Sequence, residues 1–458
     1  MTTTYHSPTP LSPRTPVITG LGTINPLGVD VASTWEALEA GTCAVRTLND
    51  PRLEEFGVPV HIGAPLPVDI DQFLSPKERK RLDRATQCAL IAAREAWAQA
   101  GLISSSRMDQ ADSAGSDDNA AAGSAESGSD AAAVVPSRRV AVSFSPGMGM
   151  VNTVVATANS LRERGARRVL PTAVPALMPN AAAATISIEI GAQAGAHAPA
   201  SACASGAEAI THAADLIALG RADVVLAGGC DATLEPMPLA AFAAMRALST
   251  RNDSPQTSSR PFATDRDGFV MGEGAGAVVV EAYEHAVARG AAILGVLAGY
   301  GMSSDAMDVA RPDPSGESQE WALSQALEQA VSAGFLRDSS QVAHVNAHAT
   351  STPAGDAVEA AMLTRCLPNA VISATKSQTG HLLGGAGALE AVLTLCALQH
   401  SCTLPTLLPG DIDPVITKSG AVISEKMSPV PSNAAHASTS FGFGGHNVAL
   451  IFTPAPQD

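Results

Sequence analysis

Residues 201–229 read SACASGAEAITHAADLIALGRADVVLAGG, and this one stretch decides the fold class. A single cysteine, Cys203, stands among alanine, serine and glycine. An Ala/Leu-rich helical pattern follows over 206–220. Then, after Asp223, VVLAGG (224–229) is apolar throughout, with no polar face. A strand of that kind is buried on both sides, which points to a sheet covered by helices rather than one open to water.

Working outward, the same succession recurs. VITGLGTINPLG (17–28), RRVAVSFS (138–145), GAVVVEAY (276–283), ILGVLAGYG (293–301), AHVNAH (343–348) and NVALIF (447–452) read as short strands. Helical stretches such as RATQCALIAAREAWAQAGL (84–102) and GALEAVLTLCALQH (387–400) lie between them. The class is therefore α/β, with sheets covered by helices. There is also an internal echo. VITGLGTINPLG and VLAGYGMSSDA both read as strands leaving into glycine turns, and LAGGCDA…GEGAGAVVVEA is matched by ASTSFGFGGHNVALIF. The echo suggests two duplicated halves, 16–288 and 289–458. Residues 1–15 read as a flexible leader. Residues 103–137, rich in Ser, Ala, Asp and Gly, read as a disordered insert, since such a segment cannot offset its own ordering entropy.

Composition excludes several classes. The chain has 458 residues, more than a single core usually supports. No apolar run reaches the roughly 18 residues of a membrane span, and the proline-rich start does not resemble a signal peptide. The seven cysteines form no CxxC pair and suit reduced thiols in the cytoplasm. A net charge of −16 argues against nucleic-acid partners.

Cys203 stands at the start of a helix, where free N–H groups and the positive end of the dipole favour a thiolate. Read alone it is equally a small core filler or a nucleophile. A nucleophile needs proton-handling partners, and two histidines stand in strand-end loops beside hydroxyl residues and glycine: His348 in VNAHATSTPAGD and His381 in KSQTGHLLGGAGALEA. His344 and His348 are four apart in HVNAH, but on a strand they lie about 13 Å apart, too far for one metal ion. GFVMGEGAGAVVV places a strand after its glycines, the reverse of a dinucleotide loop.

SACASGAEAI, VNAHATSTPAGD, KSQTGHLLGGAGALEA and SFGFGGHN, in this order, closely resemble the β-ketoacyl-acyl carrier protein synthases of the elongating Cys-His-His type. STRND…SRPF…DRDGFV…GEGAG looks most like the actinobacterial long-chain synthases. The resemblance spans residues 16–452 and implies a thiolase-like, five-layered αβαβα fold. It implies a decarboxylative condensation of an acyl-enzyme thioester with malonyl-carrier, with Cys203 as nucleophile and His348 and His381 handling the malonyl thioester. The N–H groups of Cys203 and Phe443 would form the oxyanion site, and Phe443 would also be a gate. Lys376, Glu390 and Asp356 would support the site, and Thr350 and Thr352 would bind pantetheine. Lys77, Lys80 and Arg81 in SPKERKRLDR (75–84), together with Arg246, would dock the acidic acyl carrier protein through a local basic patch. No resident cofactor is expected, because phosphopantetheine arrives on the carrier. A homodimer is expected by analogy.

The chain departs from the family pattern in four places. FSPGMGM (144–150) replaces a GTGxGG-like turn. Ala349 stands where a glycine is usual, at the cost of strain if that position needs positive φ. Ser438 and Thr439 replace two asparagines near a structural monovalent cation, although Asn346 and Glu390 remain there. The 103–137 insert is long. Two related roles are set aside: a thiolase needs a second cysteine in a late CxG setting, and a chain-length-factor partner would lack Cys203. A polyketide ketosynthase subunit using the same triad is the alternative.

Overall fold

Each half of the chain supplies five strands to the main ten-stranded sheet, and a two-stranded ribbon (Arg46–Thr47 with Ile62–Gly63) stands apart in the first half. The computed structural model describes residues 11–102 and 135–455. The first half supplies β1 (Pro16–Ile24), β2 (Val140–Pro146), β3 (Gly195–His197), β4 (Val224–Asp231) and β5 (Gly274–Ala282). The second supplies β6 (Gly295–Ser304), β7 (Val342–Asn346), β8 (Val371–Ser373), β9 (Ala435–Gly442) and β10 (His446–Thr453). The spatial orders are β1-β5-β4-β2-β3 and β6-β10-β9-β7-β8, the same permutation twice. Directions repeat too, with two antiparallel pairings followed by two parallel ones in each set. The sets join edge to edge where Val17 faces Val296 and Ile18 faces Gly295.

Six helices complete five layers. On the outer face of the first sheet lie α1 (Arg84–Gln99) and α2 (Ala181–Ile190). On the outer face of the second lie α4 (Glu317–Ser332) and α5 (Pro353–Cys366). Between the sheets run α3 (Ser205–Ala218) and α6 (Ala386–His400), whose side chains share one core with both sheets. Every residue of α6 from Ala386 to Leu398 is buried, Glu390 and Thr394 included among its apolar neighbours.

The glycine echo has a steric cause. A Cβ on Gly20 or Gly22 of β1 would fall 2.1 Å from the carbonyl oxygen of Ala96 or Ala92 on α1. A Cβ on Gly299 or Gly301 of β6 would fall 2.0 Å from the carbonyl oxygen of Ala326 or Ala322 on α4. In both halves a Gly-x-Gly strand lets its outer helix settle directly onto the backbone.

Three expectations change. Residues 1–10 of the leader lie outside the described residues, but Arg14 is held: Nη1 donates to Asp223 at 2.7 Å and Nε to the Ile217 carbonyl at 2.8 Å. Residues 103–134 of the insert likewise lie outside, while Val135 already packs on the first core. ASTSFG, expected as a Gly-rich lead-in, is most of strand β9, fully buried from Ala435 to Ser440.

Gly301→Ala should therefore lower the unfolding free energy by about 2–3 kcal/mol through forced separation of β6 and α4. Urea denaturation at constant m-value measures it.

Candidate active site

Cys203 lies in the 3-10 turn Ala202–Ala204 that leads into α3. Ala202 has φ +50°, in the left-handed region. The turn is pinned by Ser205, whose Oγ accepts from the N–H of Ser201 (2.9 Å) and donates to the carbonyl of Ala202 (2.7 Å). His381 follows the short helix Lys376–Thr379 and Gly380. Its N–H donates to the Val270 carbonyl at 2.7 Å, and its own carbonyl accepts from Gly272 at 2.8 Å. DGFVMGEG thus serves as a rail for His381 rather than a phosphate loop. His348 sits just past the end of β7. The His348 and His381 ring centroids are 5.3 Å apart and nearly perpendicular.

The His348 loop is held by two carboxylates on the first turns of α5. Glu359 accepts the N–H groups of His348 (2.8 Å) and Ala349 (2.7 Å) and the hydroxyl of Thr439 (2.7 Å). Asp356 accepts the N–H groups of Ser351 (3.1 Å), Thr352 (3.3 Å) and Phe262 (2.9 Å). Ala349 is not in the left-handed region; Ser351 is, at φ +72°. The expected strain at Ala349 is absent, and Thr439 has work of its own. Glu359 was not singled out from the sequence. Its signal is the three-residue spacing from Asp356, which places both carboxylates on the helix face toward the loop.

Behind the histidines, fully buried Lys376 pairs with Glu390 in a short Nζ–Oε1 contact and reaches His348 Nδ1 at 3.4 Å. With Nδ1 facing an ammonium, His348 carries its proton on Nε2. Burial first, then the Lys376 charge, push both imidazoles well below the usual histidine range. Both are neutral N–H donors at working pH. Burial pushes Glu390 up to about 7, with Lys376 pulling the other way. Burial also pushes the Cys203 thiol up to about 12, with the Asp231 charge acting in the same direction, against the charge of Lys376 and the N–H groups of Phe443 and Cys203 itself. The expected resting thiolate is therefore corrected: desolvation outweighs the helix start, and the group rests as a thiol.

Cys203, His348, His381, Phe443, Thr350, Thr352, Asp356 and Arg246 line one cavity of about 370 Å³. Lys376 and Glu390 stand behind its wall. Gly442 lies against the nucleophile turn, where a Cβ would come 2.4 Å from the Ser201 carbonyl oxygen. Phe443 next to it leans on Phe242 (6.2 Å), which meets Phe269 edge-on (5.3 Å). The glycines beyond Phe443 are tied to a strap: Gly444 N–H donates to the Val309 carbonyl and Asp305 N–H to the Gly445 carbonyl, both at 2.9 Å. Asp305 also accepts from Asn447 Nδ2 at 2.7 Å.

The basic segment lies apart from this cavity, on the short helix Pro76–Arg81. Lys80 and Arg81 are exposed and Lys77 is half-buried. Its neighbours are engaged elsewhere: Arg84 forks onto buried Glu273 at 2.6 and 2.7 Å, and Arg79 meets Asp71 at 3.4 Å. Arg246 is exposed at the cavity mouth with φ +58°. His344 is committed to His436 (3.1 Å) and Ser373 (2.8 Å) inside the sheet. Among the described residues no group of three or more His, Cys, Asp or Glu is placed to hold a metal ion.

Residues 15–286 match the family model "Beta-ketoacyl synthase, N-terminal domain", and residues 294–408 match "Beta-ketoacyl synthase, C-terminal domain". The chain belongs to the β-ketoacyl synthase family. It is an acyltransferase of that class. It is 38% identical over 440 residues to 3-oxoacyl-[acyl-carrier-protein] synthase 2 of Mycobacterium tuberculosis, covering 95% of this chain and 96% of that protein. The Vibrio cholerae protein of the same name is 36% identical over 455 residues, covering 96% and 99%. A β-ketoacyl synthase from Burkholderia phymatum superposes with TM-score 0.81 at 31% identity, covering 96% and 100%. A type II polyketide ketosynthase, solved in complex with its acyl carrier protein, superposes with TM-score 0.80 at 27% identity, covering 97% and 100%. This likeness extends to the thiolase-like arrangement of sheets and helices.

Because Lys376 adds to burial in keeping both imidazoles neutral, Lys376→Met should raise the midpoints at which His348 and His381 protonate. Histidine Cε1–H shifts followed by NMR across acidic pH measure this, and unchanged midpoints would count against the stated cause.

Proposed function

We propose that the protein extends a fatty acyl chain by two carbons through decarboxylative Claisen condensation of an acyl-enzyme thioester with malonyl-acyl carrier protein. The observation that carries this reading is one cavity holding a thiol, backbone N–H groups aimed at its sulfur and two neutral imidazoles. Cys203 attacks the acyl-carrier thioester. Its proton leaves with the departing carrier thiol, because the buried site does not hold a free thiolate. The oxyanion forms against the N–H groups of Cys203 and Phe443, each donor of this kind being worth about 100-fold in rate. Malonyl-carrier then enters past Thr350 and Thr352. His348 and His381 donate to its thioester carbonyl, so that CO₂ departs from a stabilised enolate. The enolate carbon attacks the acyl thioester, and the sulfur of Cys203 leaves and regains a proton.

In this scheme Lys376 fixes the His348 tautomer, and Glu390 balances the buried ammonium. Asp356 and Glu359 hold the His348 loop. Phe443, flanked by glycines, is the gate. Fatty acyl substrates are preferred to polyketide intermediates because the 36–38% identical relatives are 3-oxoacyl-carrier synthases, whereas the polyketide ketosynthase is 27% identical.

The remaining parts of the reading follow from surfaces. Lys80 and Arg81, with Lys77 and Arg246, offer positive charge to an acidic carrier on a chain of net charge −16. Such a carrier brings phosphopantetheine with it, so no resident cofactor is needed. A homodimer is supported by β3, an edge strand with one side unpaired among the described residues, and by exposed Val154, Leu161, Leu170, Val174 and Ile188 in the same half of the chain. Cytoplasmic residence is supported by seven free thiols; no helix among the described residues is long and apolar enough to cross a membrane. Among the described residues Asn346 Nδ2, Glu390 Oε2, Ser438 Oγ and Ser440 Oγ are buried without partners. The oxygens among them, Glu390 above all, fit a structural monovalent cation, which would neutralise part of that polar group and leave the reaction steps unchanged.

Cys203→Gln should abolish condensation, by a factor of at least about 1,000, while malonyl-carrier decarboxylation continues. Radiolabelled CO₂ release and product chromatography read the two steps separately; undiminished condensation would refute the assignment of Cys203.

A further inference from the structure

The reaction scheme leaves one fully buried carboxylate beside the site unused. Asp231 ends β4 with no solvent exposure. It accepts N–H groups from two separate loops: Gly147 (2.9 Å) and Met148 (3.3 Å) after β2, and Gly384 (2.7 Å) in the turn after His381. The backbone around it is packed to the limit. A Cβ on Gly147 would come 2.7 Å from Gly384 N and 2.8 Å from the Ala202 carbonyl oxygen; one on Gly384 would come 2.0 Å from Gly147 N. FSPGMGM, the unusual turn in the sequence, is therefore wedged between the residue preceding Cys203 and the turn following His381.

Both flanking segments are strained. Ala202, immediately before Cys203, and Leu383, two residues after His381, have φ +50° without being glycine. Residues in this region persist only where their surroundings over-determine them. The Asp231 cradle does so for Leu383 through Gly384 directly, and for Ala202 through the 146–148 turn. Burial pushes the Asp231 carboxyl up to about 7, with its three N–H donors pulling down.

We propose that Asp231 is a positioning residue that clamps the Cys203 turn and the His381 turn into one register, so that acyl transfer and malonyl decarboxylation share a single geometric support. The proposal rests on the roles given above to Cys203 and His381. Asp231 itself, fully buried and outside the cavity lining, does not touch substrate.

The test compares wild type with Asp231→Asn and Asp231→Ala in condensation with acyl- and malonyl-carrier, and in malonyl-carrier decarboxylation on a Cys203→Gln background. The expected result is a fall in kcat of about 100-fold, the usual effect of displacement near 1 Å. KM should stay within about threefold, and decarboxylation should fall in parallel. Asp231→Glu, which keeps the acceptor but adds a methylene to a cradle with no room for one, should show the same split. Loss of thermal stability with both rates intact would overturn the proposal in favour of a purely structural role, as would failure of all three variants to fold. Lost condensation with intact decarboxylation would overturn the shared support. A wild-type enzyme without condensation activity would refute the reaction scheme, an outcome independent of how the variants behave.

Discussion

The close crossing of α3 and α6 at their first turns is the constraint on which the rest of the structure depends. Gly206 is the second residue of α3 and Gly387 the second of α6. A Cβ on Gly206 would come 2.8 Å from Ala388 N, and one on Gly387 would come 3.0 Å from Ala207 N. The two helices thus begin backbone to backbone, one from each half, in the layer shared by both sheets. Cys203 is three residues before Gly206, and His381 is six before Gly387. Bringing the helix starts together brings the thiol and the imidazole together. The small residues around Cys203 are therefore both core packing and chemistry: the packing creates the juxtaposition that the chemistry uses.

Burial then sets the protonation of everything at that crossing. Two imidazoles are held neutral, a thiol is held protonated, and several carboxyls are lifted from their ordinary range. Lys376 is the charge that the others answer to. It accompanies burial in suppressing the imidazolium forms and faces Glu390 directly. A buried ion pair contributes little net stability. Here its value is electrostatic, because it keeps neutral donors facing a site where negative charge develops.

Much of this was legible in the sequence because it rests on steric requirements that only glycine or apolar runs can meet. The fully apolar strands gave the α/β class, and the Gly-x-Gly pairs at 20/22 and 299/301 marked the duplication, since each admits a helix carbonyl. The short edge strands β3 and β8 have three residues each, too few for any periodicity to register. Strand β9 was masked by Ser438, Thr439 and Ser440, which read as polar but are all buried, Thr439 donating to Glu359. Asp231 was missed because it acts on backbone N–H groups 83 to 153 residues away, a relation that sequence spacing does not encode. Of the basic segment, charge was legible but direction was not. Arg84 turns onto Glu273 and Arg79 meets Asp71, while Lys80 and Arg81 also stand exposed.

The central claim is that Cys203 carries the acyl group. Cys43 packs against the same apolar cluster as Cys203, so the position of attachment is a real discrimination. Incubation with a long-chain acyl-carrier alone, followed by proteolysis and mass spectrometry, measures it most directly. The account predicts an acyl thioester on the peptide containing Cys203, discharged when malonyl-carrier is added. An acyl group on Cys43 or any other residue, or a Cys203 adduct that malonyl-carrier leaves untouched, would contradict it.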